Sequence, residues 1–283
     1  MNNKKDISLI IKACVQDVDV LYDNVNHIVK QLKSPDGFDE IILALDIKRK
    51  NFLREYNNQG SWNKLLNISQ ILKDEGLIDR YLYPPENIIP SLNKKWFNLE
   101  TILTHTIKGV PVAAQIYAFE QAKNNLILQL DIDIIIGRLT HSHSFLSDMT
   151  NALENNKNIL SVAFNIYQGQ SIFFTPYKGN FVPEVRFCLL DMERINKILP
   201  LPNSILEKGL GLSWYRAMEK KQLQTKTISV RGGDSRSFFI HPQNINKLDS
   251  YFIKLVTKRV EENNIPEIQI GNVDLIAKKE QWL

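Results

Sequence analysis

The stretch Asn125-Leu126-Ile127-Leu128-Gln129-Leu130-Asp131-Ile132-Asp133 constrains the fold more than any other part of the chain. Its nearly unbroken apolar run has the length and composition of a strand buried on both faces, as in a parallel sheet covered by helices. The run ends abruptly in two carboxylates spaced i, i+2. Alternate residues of a strand point the same way, so Asp131 and Asp133 are expected to project together from its C-terminal end. That end is where open α/β sheets bind ligands. Converging carboxylates repel unless a positive charge lies between them, and a hard divalent cation bridging to phosphates is the usual solution. The plainer alternative is that Asp133 ends the strand and Asp131 caps a turn.

The flanking segments read as alternating strands and helices. Asp6 to Ala13 (DISLIIKA) is a strand, and Val18 to Leu32 places Val18, Leu21, Val25, Ile28, Val29 and Leu32 at helical intervals. Phe38 to Asp46 (FDEIILALD) is a second strand, and Ile78 to Tyr83 a third. Gly109 to Lys123 has helical spacing, with Pro111 suited to a first turn. Such alternation predicts a parallel sheet with crossover helices.

On these residues the chain resembles family 2 glycosyltransferases of the GT-A type. Ala114, Ala122, Asp131 and Asp133 fall in the register of that family's helix, turn, strand and Asp-x-Asp motif. Ile116 stands where the family often has Asn, Ala118 where it often has Gly, and Ile134 where a third Asp is common. Ala13-Cys14-Val15-Gln16 replaces the family's usual turn after the first strand, and Asp46-Ile47-Lys48-Arg49 its Asp-rich end of the second. The resemblance covers roughly Asp6 to Val162 and marks a distant subfamily.

It implies a Rossmann-like GT-A domain over residues 1–283, with a mostly parallel central sheet flanked by helices. Residues 1–135 would bind the nucleotide sugar, and 136–283, with a smaller β region, the acceptor. The implied activity is hexosyltransferase-type transfer of a sugar from a nucleoside-diphosphate sugar, UDP favoured, to a saccharide or other hydroxyl acceptor, with inversion. Mn2+ or Mg2+ would be held by Asp131 and Asp133, while Ala13 and Asp46 would face the nucleotide.

Whole-chain properties fit an ordinary globule. A chain of 283 residues suffices for one large α/β domain. The net charge of +4 is mild and distributed, which argues against a nucleic-acid partner. Cys14 and Cys188 have no metal spacing. No signal-peptide stretch and no window of about 18 uncharged apolar residues occurs, so a cytoplasmic protein is expected. The abundance of Asn, Lys and Ile hints at a bacterial AT-rich genome.

After Asp133 the residues are less decisive. His141 and His143 lie close by, but Thr140 and Ser142 read better as the cap of a helix starting near Ser144. Ile159 to Tyr167, Ser171 to Tyr177 and Phe181 to Leu190 are strand-like pieces assigned to the acceptor half. Leu212-Ser213-x-x-Arg216 resembles a family helix that follows an acidic pair, one member of which acts as base. Gly209 and Leu210 occupy the acidic positions here. Glu207 is the nearest acid, and Asp191 and Glu193 are further candidates for the carboxylate that takes the acceptor proton. Ile228 to Pro242 reads as a strand, a Gly-Gly turn and a return strand. Arg231 and Arg236 flank that turn and suit a diphosphate. His241 matches, by order along the chain, a family residue that reaches the metal or the diphosphate, and is assigned to the metal.

Two rival functions remain. A sugar nucleotidylyltransferase would share the sheet and carboxylates, but would show a Gly-rich basic loop where this chain has KACVQDVD. A non-catalytic binding protein on a degenerate GT-A fold would explain the displaced acids.

Overall fold

A computed structural model of the chain describes residues 5–46, 60–169, 183–231, 236–242 and 249–283. The opening strand is β1 (Lys5–Cys14), and helix α1 (Leu21–Leu32) follows a short 3-10 turn. The Asp17 carboxylate accepts the Cys14 N–H at 2.8 Å and holds that turn, so α1 starts at Leu21 rather than Val18. Next come β2 (Phe38–Asp46), α2 (Trp62–Asp74), β3 (Arg80–Leu82) and α3 (Ile89–Phe97). Then follow α4 (Ala113–Gln121), β4 (Leu126–Asp131), β5 (Ile135–Arg138) and α5 (Phe145–Asn155). Helix α5 starts where the sequence indicates, but its cap is Ser144, which accepts the Ser147 N–H, rather than Thr140 or Ser142.

The second half continues with β6 (Ile159–Ala163), β7 (Phe187–Asp191), α6 (Met192–Ile198), β8 (Ile205–Leu206) and β9 (Gly209–Leu210). It ends with α7 (Trp214–Thr225), β10 (Ile228–Arg231), β11 (Ser237–Ile240), α8 (Ser250–Glu261) and α9 (Lys279–Trp282).

A seven-stranded sheet runs β10-β6-β7-β4-β1-β2-β3. Its pairs are parallel except where β7 runs antiparallel to β4 and β6. The two sides of β1 explain the layers. Ile7, Leu9, Ile11 and Ala13 pack into a core shared with α1 and α5, while Ile10 faces a second core with α3, α4 and α7. Helices thus cover both faces, which is why β1 and β4 read as apolar runs. A third cluster joins β5 and β11 to α8 and buries Trp282.

Among the described residues of the second half, β6, β7 and β10 extend the main sheet, while β5·β11 and β8·β9 form small antiparallel pairs, the smaller β region that was expected. Two expectations are corrected. Ile228 to Pro242 is not a hairpin, because β10 pairs with β6 while β11 pairs with β5. Pro111 precedes α4 in a bridge to His105, and the helix starts at Ala113. The segment Ser171 to Tyr177 and the residues 232–235 lie outside the described residues. Among the described residues no helix is long and apolar enough to cross a membrane.

Candidate functional site

The C-terminal ends of β2, β1 and β4 lie side by side. Cys14 pairs with Asp46 and Lys12 with Asp131. With neighbouring strands about 4.8 Å apart and a two-residue offset of about 6.6 Å along β1, the backbones of Asp46 and Asp131 are about 12 Å from each other. The strand stops at Asp131, however, and Asp133 sits in the turn that leads to β5. The two carboxylates therefore approach through a turn rather than by strand alternation. Ile132 donates its N–H to the Lys12 carbonyl at 3.0 Å, and Asn24 donates to the Ile132 carbonyl at 3.1 Å, which fixes that turn.

Lys12 is the first residue the sequence reading missed. It is buried, its Nζ lies 2.8 Å from Asp131 Oδ1, and it also donates to the Val185 carbonyl. A lysine in an otherwise apolar strand was the signal, since buried charges are kept only with partners. Burial pushes the Asp131 carboxyl above the ordinary carboxylate range; Lys12 and His241 oppose that shift and Asp133 adds to it. A further positive charge at this point would relieve the repulsion.

His241 enters from the end of β11. Its backbone is clamped by Val273 and Leu275: the His241 N–H donates to the Val273 carbonyl, and the Leu275 N–H to the His241 carbonyl, both at 2.8 Å. The imidazole Nδ1 lies 3.0 Å from Asp274 Oδ1, and Nε2 lies 3.7 Å from Asp133 Oδ2. With Nδ1–H donated to Asp274, the Nε2 lone pair faces a carboxylate oxygen beyond hydrogen-bond reach. Two such acceptors fit a cation between them, and a carboxylate that orients the histidine from behind is the usual support of a metal ligand. Asp274, in the polar tail, had no signal in the sequence.

The surrounding charges point the same way. Asp131, Asp133, Asp274 and Glu184 are set against Lys12, Arg186 and Arg231. Arg186 lies 3.7 Å from Asp274, and Arg231 lies 3.3 Å from Glu184. Among these described residues carboxylates outnumber the permanent cations, which suits one divalent ion. Among the described residues no three His, Cys, Asp or Glu side chains are grouped so that they could hold a metal ion. Asp133 and His241, with Asp131 beside them, supply part of a set that a hard cation would complete with water and phosphate oxygens.

The other expected residues fall in different places. Ala13 is buried at the end of β1. Arg231 is turned to the Phe164 carbonyl at 2.8 Å and to Glu184. Arg236 lies at the far end of β11 from His241, 2.8 Å from His143. It does not join the carboxylates. Asp191 is corrected as a candidate base: it pairs with Leu126, at the opposite end of β4 from Asp131. Its oxygens cap α6 at the Arg194 N–H and bind the Arg194 side chain at 2.7 Å. Glu193 beside it pairs with Lys197 on the surface. His143 is paired with Asp148 at 2.8 Å. Burial and the Asp17 carboxylate push the Cys14 thiol up, so it stays protonated.

Glu207 is exposed at the tip of the β8·β9 turn, with φ +40°. That hairpin is tied to the loop before α4: Ile107 donates its N–H to the Leu210 carbonyl at 3.0 Å, and Leu210 to the His105 carbonyl at 2.9 Å. His105 in turn reaches Asp46, with Nε2 at 2.8 Å from Oδ2. Glu207 thus belongs to a loop pair anchored at the end of β2.

No protein-family model matches the chain, and no curated protein matches it in sequence. Among solved structures it is similar to S. aureus TarS, at 13% identity and TM-score 0.31, over 60% of this chain and 23% of that one. It thus spans about a quarter of TarS. It is also similar to glucosyl-3-phosphoglycerate synthase from Mycobacterium tuberculosis, solved with Mn2+, UDP and glucosyl-3-phosphoglycerate, at 10% identity and TM-score 0.41, over 89% of this chain and 79% of that one. A third is a UDP-glucose pyrophosphorylase complexed with UDP-glucose, at 11% identity and TM-score 0.38, over 84% of this chain and 92% of that one. Scores this low leave the chain's own residues to carry the functional reading.

Proposed function

We propose that the chain is a divalent-cation-dependent glycosyltransferase that moves a sugar from a nucleoside-diphosphate sugar, UDP favoured, to a hydroxyl acceptor. The observation that carries this reading is the arrangement of Asp131, Asp133 and His241 at the C-terminal edge of a parallel strand, with Asp274 behind the histidine. Asp133 and His241 would hold Mn2+ or Mg2+, and Asp131 would join them. An imidazole in the donor set favours Mn2+ over Mg2+. The bound cation would supply charge neutralisation for the departing diphosphate.

The chain's own groups divide the remaining work. Asp46 would accept hydrogen bonds from the nucleoside. Lys12 and Arg186 flank the carboxylates and would meet phosphate oxygens with charge-assisted hydrogen bonds. Glu207 would take the acceptor hydroxyl's proton as that oxygen attacks the anomeric carbon from the side opposite the leaving diphosphate, giving inversion.

The test is release of nucleoside diphosphate from a set of UDP- and GDP-sugars. Mn2+-dependent release is expected, fastest with a UDP-sugar and lost in excess chelator. Equal turnover in chelator would remove the cation from the scheme. Release of pyrophosphate from a nucleoside triphosphate and a sugar phosphate would instead establish the nucleotidylyltransferase.

A further inference from the structure

His105 is nearly fully buried, at 1% exposure, yet both its ring nitrogens are engaged by polar groups. Nδ1 lies 2.8 Å from Thr104 Oγ1 and Nε2 2.8 Å from Asp46 Oδ2. Thr104 and His105 are neighbours in a loop whose backbone is fixed on both sides. The Thr104 carbonyl accepts the N–H groups of Val112 and Ala113, and the His105 carbonyl accepts that of Leu210. The loop therefore holds the imidazole still, and the imidazole in turn holds one oxygen of Asp46. Asp46 ends β2, and its side chain is 13% exposed. A carboxylate at a strand end has a free rotor unless something fixes it, and fixing it pre-organises the other oxygen for a ligand.

We infer that His105 is a positioning residue for nucleoside recognition: its Nε2–H pins Asp46 Oδ2 so that Oδ1 faces the donor's base or ribose. This inference rests on the glycosyltransferase reading of the site. The Thr104 hydroxyl donates to Nδ1 in this arrangement, which leaves the proton on Nε2, and the relay Thr104–His105–Asp46 has one direction throughout. The role is recognition, so its loss is felt in affinity and base selectivity rather than in the chemical step.

The experiment is calorimetric titration of UDP and CDP, each with saturating Mn2+, into the full chain and its variants. His105→Leu is expected to weaken UDP about tenfold or more, the typical consequence of losing a hydrogen bond to a charged group, and to narrow the preference for UDP over CDP. His105→Gln, whose amide N–H reaches about as far as Nε2, should restore most of both. Combining His105→Leu with Asp46→Asn should add little beyond either change alone. Should the leucine variant unfold, His105→Asn replaces it, since its shorter amide falls short of Asp46. UDP bound equally tightly by wild type and either short variant overturns the positioning role while leaving the wider reading intact. No nucleotide bound by the wild-type protein in Mn2+ overturns both.

Discussion

At the scale of single residues, the cation pocket depends on the charge of Asp133 and the orientation of His241. Asp133→Asn keeps the size of the side chain but removes the charge that a hard cation needs. It should abolish Mn2+-dependent nucleotide binding while leaving the urea unfolding midpoint nearly unchanged; a variant that unfolds would instead make Asp133 a structural cap. Asp274→Asn acts one step further back. Loss of the carboxylate behind a ligating histidine should weaken Mn2+ roughly 10- to 100-fold, read by titrating the ion alone. Glu207→Gln should lower turnover by about 10²–10⁴-fold at unchanged UDP affinity, because Gln can hydrogen-bond the acceptor but cannot take its proton. Full activity in that variant would move the base elsewhere. How much of this site was legible follows from its geometry. Asp131 and Asp46 end strands whose apolar runs announce them, and Asp133 follows in the turn just past one of those ends. Asp274 and His105 come from irregular segments with no periodic pattern, and only the folded backbone brings them within hydrogen-bond distance. Lys12 carried a signal, a charge in a buried strand, which pairing with Asp131 explains.

At the scale of elements, the strands buried on both faces were the readable ones. The bounds of β2 coincide with the expected Phe38 to Asp46, and β1 and β4 lie within a residue or two of theirs. Strands whose partners come from distant sequence were not readable: nothing local says that β10 joins β6 while β11, a few residues on, joins β5. The Gly-Gly pair between them looked like a hairpin turn because turn chemistry is local and sheet pairing is not. The same principle gives the β8·β9 hairpin its dependence on Gly209. A Cβ there would lie 2.3 Å from the Ile107 backbone nitrogen, with no flexible side chain to give way. Gly209→Ala should therefore push the hairpin off the loop before α4. The expected cost is about 1–3 kcal/mol, measured from the urea midpoint, together with reduced turnover because Glu207 moves. An alanine variant of wild-type stability and rate would show that the two loops are not locked together.

At the scale of the whole molecule, the main sheet takes strands from both halves of the chain, and the C-terminal segment closes over it. Glu261 of α8 accepts from His27 of α1 at 2.7 Å and pairs with Lys30 at 2.9 Å, while His27 Nε2 accepts the Ile136 N–H at 3.0 Å. The His27 hydrogen bond, with help from Lys30, holds the Glu261 carboxyl down at about 2, below its ordinary 4.5. A depressed carboxyl stabilises the fold above its ordinary value, and that contribution is lost as pH falls from about 4.5 towards 2. Glu261→Gln should therefore be less stable than wild type at pH 6 and nearly equal to it at pH 2, as read by urea denaturation. Binding of a nucleoside diphosphate by this assembled edge, through a divalent cation, is what the proposed function requires above all. It is tested most directly by titrating UDP into the protein calorimetrically, once with Mn2+ and once with excess chelator. Saturable binding with Mn2+ that disappears in chelator and in Asp133→Asn is the predicted result; UDP binding of equal strength under both conditions would contradict it.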